Sequence, residues 1–319
     1  MNQIPPFSDK ICYYLNCGAV GDLMAAAAII NYAINIYHNP RNSDYRVACY
    51  PEFKDLFSFV PTDKLITLDE SHTLDSSFAF RRSINQVSIA PYEKNVARLT
   101  TFKIHNIHHS SVSLIGSVIN IEDAPYIPLE LVDVSNLGID FDKAVILSVT
   151  SRDKQRSWKS QEILKTAEAI KDMGLTPVYI GKTIKNNSFD DVVDTTSEFE
   201  YPGFGINLIN KTNLRELYSI MSKSRAVMGI DSGPMHIAMA TNSPVICGFT
   251  SVRPDFRIPY RKYGVTIPII ADEIGCHFCQ SDWNLLFHNF TKCPRKLENP
   301  ECVDMMTADK FISALKEVR

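Results

Sequence analysis

The 319-residue chain has no apolar run near the ~18 residues that a membrane-spanning helix requires; Leu23 to Ile30 is the longest candidate. Its opening residues, MNQIPPFSDK, lack a basic start followed by an apolar core, so no secretory leader is expected and the chain reads as cytoplasmic. Neither sign of charge dominates. The 33 Lys+Arg stand against 36 Asp+Glu, a formal net charge of -3, which argues against a dedicated nucleic-acid binder. At most, peripheral membrane contact is expected. No internal repeat, low-complexity segment or acidic metal-binding motif is evident.

What remains is an ordinary globular composition, 45% hydrophobic and 22% charged. The length exceeds what one hydrophobic core usually serves, so two domains are expected. The most informative stretch is Ala226 to Phe249, AVMGIDSGPMHIAMATNSPVICGF. A short apolar run breaks at Asp231-Ser232-Gly233-Pro234, a short buried helix follows, and Pro244 to Phe249 reads as a second buried strand. Backbone N–H groups at a helix start suit a phosphate, and Pro234 loses no hydrogen bond at a first helical position.

The N-terminal part opens in the same style. Ile11 to Leu15 reads as a buried strand, Asn16 to Asp22 as a glycine loop, and Leu23 to about Tyr37 as an apolar helix. Gly18 and Gly21 permit a tight turn and close approach. Asp22 has two readings: a helix N-cap, or a carboxylate at the mouth of a cleft beyond a strand's carboxyl end. From Ser71 to Asp123 the pattern is weak, and Arg81, Arg82, Arg98 and Lys103 read as a solvated face.

After a linker-like stretch, Asp133 to Asp142, Ala144 to Val149 begins a second α/β unit. Thr150 to Trp158, TSRDKQRSW, is a basic loop, and Ser160 is expected to cap the next helix. Thr176 to Ile180 is a strand, and Asn213 with Glu216 caps a further helix. Beyond Phe249 a second basic loop carries Arg253, Arg257, Arg261 and Lys262, cations suited to phosphate. Thr307 to Val318 reads as a final amphipathic helix.

Cys276, Cys279, Cys293 and Cys302 form a Cys-x2-Cys pair followed by two later cysteines. Four thiolates in that pattern suit zinc or iron as a structural clip. Reduced structural cysteines are the alternative, and a nucleic-acid-binding zinc module is disfavoured by the acidic balance.

Four segments together resemble glycosyltransferase family 9, the ADP-heptose heptosyltransferases and their relatives. They are GAVGDLMAAAAII from Gly18, TSRDKQRSWKSQEI from Thr150, GIDSGPMHIAMATNSPVICGFTSVRPDFRIPY from Gly229, and the late cysteines. The cysteines also resemble the iron site of autotransporter heptosyltransferases, with different later spacings. The resemblance implies an α/β GT-B fold of two Rossmann-like domains facing across a cleft. Residues 1–140 would bind acceptor and 141–306 the nucleotide-sugar, with helix 307–319 crossing back to the first domain.

It further implies an inverting transfer of a sugar, heptose from ADP-heptose, onto a hydroxyl of a saccharide, lipopolysaccharide-core, lipid-linked or protein acceptor. Asp22 would be the catalytic base. Lys154, Arg156, Asp231, Ser232, Gly233, Pro234 and His236 would hold the donor, and Gly18, Gly21, Arg253 and Arg257 would line the cleft. Arg156 stands where the family usually has Lys. His236 reads equally as a phosphate or ribose contact and as a structural residue of the helix start. No cofactor is expected for catalysis. A non-catalytic GT-B-like nucleotide-binding or scaffold protein is the competing reading.

Overall fold

The computed structural model describes residues 10–15, 19–37, 44–68, 96–99, 115, 119–149, 151, 154–183, 199–272, 274–276, 278–281 and 293–318. The chain divides into two compact units, Met1–Glu130 and Leu131–Arg319. Gly18, Arg81, Arg82 and Lys103 lie outside the described residues, and Arg98 sits on a described strand.

The first unit holds a parallel sheet of four strands, β1 (Lys10–Leu15), β2 (Asp44–Cys49), β3 (Leu65–Thr67) and β4 (Val96–Leu99). Their order is β3-β2-β1-β4, with Tyr13 opposite Val47 on one side and Ala97 on the other. Helix α1 (Val20–Tyr32) follows β1 and buries Leu23 through Ile30 without a break. A helix apolar all round belongs in a core. It continues as a π-helical turn, Ala33–Tyr37, where the expected helix was regular.

The second unit is a six-stranded parallel sheet. Its strands are β5 (Ala144–Ser148), β6 (Thr176–Ile180), β7 (Ile206–Asn207), β8 (Ala226–Ile230), β9 (Val245–Phe249) and β10 (Thr266–Ile270). The order β10-β9-β8-β5-β6-β7 is the doubly wound one, in which the chain runs outward from the centre in both directions. β5, β8 and β9 are buried at every residue, as strands covered on both faces must be.

Between strands run α2 (Ser160–Asp172), α3 (Leu214–Lys223) and α4 (Gly233–Met239). The cap position of α2 is Lys159, which makes no side-chain capping bond, and Ser160 is already helical. α2 closes on Gly174, whose φ of 74° is the left-handed value that favours glycine. α3 begins with the expected capping box: Asn213 accepts from the Glu216 N–H, and Glu216 accepts from the Asn213 N–H, both at 2.9 Å. Gly229 on β8 is needed for close packing, because a Cβ there would lie 2.7 Å from Met235 Sδ and 2.9 Å from Ser148 Cβ.

Among the described residues this unit also holds α5 (Pro254–Arg257), α6 (Glu301–Asp304) and α7 (Ala308–Glu317). The resemblance made α7 a crossing element. It is built into the core of the second unit, where Phe311 stacks on Trp158 with ring centroids 4.1 Å apart. The Ala308 N–H donates to Glu162 Oε2 at 2.8 Å, which ties α7 to α2. No helix of the described residues is long and apolar enough to cross a membrane.

Phe311 is fully buried against Trp158 and above Gly248. Phe311→Ala is expected to destabilise the second unit by about 3–5 kcal/mol. Urea unfolding followed by tryptophan fluorescence reads this through Trp158.

Candidate functional site

In a doubly wound sheet, ligands bind beyond the carboxyl ends of the strands, where the winding direction reverses. In the second unit that point lies between β5 and β8. The loop after β5 carries Arg156 in a 3-10 turn (Lys154–Arg156), and Asp231 directly follows β8. β9 is the next strand over, and the segment beyond it ends α5 with Arg257.

These three adjacent strands deliver their residues to one carboxylate. Asp231 is 3% exposed. Arg156 Nη1 donates to its Oδ2 at 3.3 Å. Arg257 Nε lies 3.3 Å from the same oxygen, an electrostatic contact rather than an aligned hydrogen bond. His236, one turn into α4, places Nε2 3.5 Å from Oδ1. Burial alone would raise the Asp231 carboxyl, but Arg257, the His236 hydrogen bond and Arg156 outweigh it and hold the group far below the usual carboxylate range.

Two guanidinium charges against one carboxylate leave a net positive charge on the cluster. A buried carboxylate repels phosphate, so Asp231 serves the site by holding its arginines. α4 has only seven residues and no side-chain cap. Arg156 and Arg257 therefore supply more of the field than the helix end does. Ser232 Oγ, next to Asp231, is buried and has no hydrogen-bond partner among the described residues. It is a hydroxyl available to a ligand.

The other expected site residues separate cleanly. Gly233 and Pro234 open α4 beside this cluster. Lys154 opens the 3-10 turn. Arg253 makes a two-pronged contact with Asp255 at the surface, at 2.9 and 3.0 Å. Arg261 binds backbone oxygens of Thr241, Ser243 and Val265 and so braces a turn. In the first unit, Gly21 and Asp22 lie in the first turn of α1, after β1. That is the corresponding reversal point, between β1 and β4. Ala19 occupies the cap position, so Asp22 is not the N-cap.

Two contacts carry no signal in the sequence. Gln155, 3% exposed, has its Oε1 3.8 Å from Cys279 Sγ, and its carbonyl accepts from the Thr250 hydroxyl. Only its place beside Arg156 in the basic loop pointed to it.

The four late cysteines share one neighbourhood. Burial first, then the negative charge of Cys279, Cys293 and Cys276, pushes the Cys302 thiol up to about 12. Arg295 Nη1 lies 3.6 Å from Cys276 Sγ. Among the described residues, however, no three ligand groups converge as a metal cage. The donor chemistry suits a thiophilic ion, while the arrangement is not that of a closed site.

Residues 124–282 match the family model of Glycosyltransferase family 9 (heptosyltransferase). Lipooligosaccharide heptosyltransferase 2 of Haemophilus influenzae is 29% identical over 119 residues, 37% of this chain and 34% of that protein. The chain thus spans about a third of the length of that relative. Two solved structures share the fold along nearly the whole chain. E. coli ADP-heptose lps heptosyltransferase II has TM-score 0.63 and 14% identity, covering 97% of this chain and 98% of that one. The bacterial iron-containing dodecameric glycosyltransferase TibC of enterotoxigenic E. coli has TM-score 0.67 and 15% identity, covering 97% and 75%. With the parallel sheets, these likenesses establish an α/β fold of GT-B type.

Asp231→Asn would leave two arginines facing a neutral amide, a loss of about 3–5 kcal/mol at neutral pH. A depressed folded pKa contributes stability that is complete above the unfolded value, about 3.9. That stability is lost as pH falls from there toward the lower folded value. Urea titrations of the two proteins should therefore show a constant gap from neutral pH down to about pH 5, narrowing only in stronger acid.

Proposed function

Because residues 124–282 match the model of glycosyltransferase family 9, we propose that the chain is an inverting glycosyltransferase that takes heptose from ADP-heptose. The observation that carries this reading is the cationic cluster around Asp231 at the second unit's reversal point. A nucleoside diphosphate leaving group needs positive charge fixed in advance where its negative charge develops. Arg156 and Arg257 supply that charge, and the Ser232 hydroxyl and Gly233 N–H add donors beside it. No cofactor is needed for this step.

In this reading the first unit serves the acceptor. An acceptor hydroxyl is a poor nucleophile until a base draws off its proton. Asp22 fills that role: a carboxylate in the first turn of α1, half-buried, at the reversal point of its sheet. As the proton moves to Asp22, the acceptor oxygen bonds to the anomeric carbon on the face opposite the diphosphate. The C–O bond to the diphosphate breaks, ADP departs, and the anomeric configuration inverts. The acceptor class is a saccharide of a lipopolysaccharide core, in line with the relatives' names, with lipid-linked and protein hydroxyls as further candidates. The setting is cytoplasmic with at most peripheral membrane contact, and no nucleic acid takes part.

We also propose that Cys276, Cys279, Cys293 and Cys302 hold a structural zinc or iron ion. Their shared neighbourhood and the iron-containing relative support this. Four thiolates would leave no open position, so the ion would brace the segment and take no part in transfer.

Two measurements test these readings. Incubation with ADP-heptose and a lipopolysaccharide-core acceptor should release ADP. Asp22→Asn should lower kcat by ~10²–10⁴ with donor KM nearly unchanged, because only the transition-state proton transfer is lost. ADP release by Asp22→Asn at the wild-type rate would overturn the base assignment. Separately, elemental analysis of the purified protein should find about one zinc or iron per chain, lost in Cys276→Ser.

A further inference from the structure

Among the described residues between β5 and α2, Arg156 lies in a 3-10 turn, Lys154–Arg156. Its position must come from tethers to other parts of the unit. On the C-terminal side, Trp158 Nε1 donates to the Met306 carbonyl at 3.0 Å, and Lys159 pairs with Asp304. On the other side stands Gln155, the immediate neighbour of Arg156.

Gln155 belongs to a closed ring of contacts. Its Oε1 lies 3.8 Å from Cys279 Sγ. Its carbonyl accepts from the Thr250 hydroxyl, just past β9. The Thr250 carbonyl accepts from the Phe278 N–H at 3.0 Å, and the Ser251 carbonyl from the Gln280 N–H at 2.7 Å. Ser251 Oγ adds a bond to Gln280 Oε1 at 3.0 Å. Gln155, Thr250, Ser251 and Gln280 are each 4% exposed or less. These bonds tie residue 155, residues 250–251 and residues 278–280 to one another, while Gln155 Nε2 is buried and makes no hydrogen bond among the described residues.

We propose that Gln155 is a positioning residue of the donor site. Through it the cysteine-bearing segment 278–281 sets the loop that presents Arg156 to the diphosphate. Gln155 touches neither the donor nor the reacting atoms; it acts through the backbone it shares with Arg156. The kinetic part of this inference rests on the donor-site reading above, while the structural part rests on the ring alone.

The test uses full-length protein and the variants Gln155→Met, which keeps volume but removes the amide, and Thr250→Val, which removes the hydroxyl bonded to the Gln155 carbonyl and leaves every cysteine in place. Hydrogen–deuterium exchange of peptides covering residues 154–159 should speed up ~10-fold in each variant, with β5 unchanged. Wild-type exchange in either variant would sink the proposal whatever the donor proves to be. With ADP-heptose, donor KM should rise ~5–10-fold while kcat stays within ~2-fold. A fall in kcat with KM unmoved would also overturn it. Absence of ADP binding by wild-type protein in calorimetry would instead count against the proposed donor, with the exchange result still deciding the ring.

Discussion

The second unit depends on one expensive act, the removal of a carboxylate from water at the end of β8. Asp231 is almost fully buried, and a lone ionised carboxylate there would lose several kcal/mol of hydration. It stays charged because Arg257, His236 and Arg156 surround it. Each of these sits on a different element, and each is drawn to a fixed place by the same charge. The carboxylate that the fold must satisfy is what fixes the arginines, and the surplus positive charge is what the diphosphate of the proposed donor would meet.

Topology explains why these residues meet at all. β5, β8 and β9 are neighbours in space though separated by long stretches of chain. Their carboxyl ends point the same way because all are parallel. The connections after β5 and β8 leave in opposite directions, opening a gap between them. Arg156 and Asp231 stand at the two sides of that gap. Gly229, one residue inside the end of β8, allows Met235 to pack close to the strand and so seats α4 beside Asp231.

The buried strands were legible because full burial writes itself as short apolar runs, and Ala226–Ile230 and Thr176–Ile180 fall on their expected bounds. The capping box of α3 was legible because both partners lie within four residues. The likeness to glycosyltransferase family 9 over residues 124–282 was also legible from the motifs, since Asp-Ser-Gly-Pro and the basic loop are contiguous strings. Arg253 and Arg257 could not be told apart, because they share one basic loop. Their difference arises from a three-dimensional choice, Asp255 two residues away for one and the buried Asp231 for the other. Gln155 was invisible for a similar reason. A neutral amide in a charged loop has no pattern, and its partners come from residues 250 and 279.

The C-terminal segment also changes its meaning. A terminal helix read only as an amphipathic stripe can cover any apolar face, and the stripe does not say which. Here Phe311 meets Trp158, and Trp158 lies two residues past Arg156. The same tryptophan gives its N–H to Met306, so both the apolar and the polar parts of the side chain are used on one partner segment. The aromatic that ends the basic loop is thus a core residue whose burial anchors the loop that carries Arg156. An irregular loop keeps a charged group in register only if its ends are packed, and this loop is packed at Gln155 on one side and Trp158 on the other. Arg156 projects from between two buried residues, which lets a residue 25% exposed hold a defined position without a helix or strand beneath it.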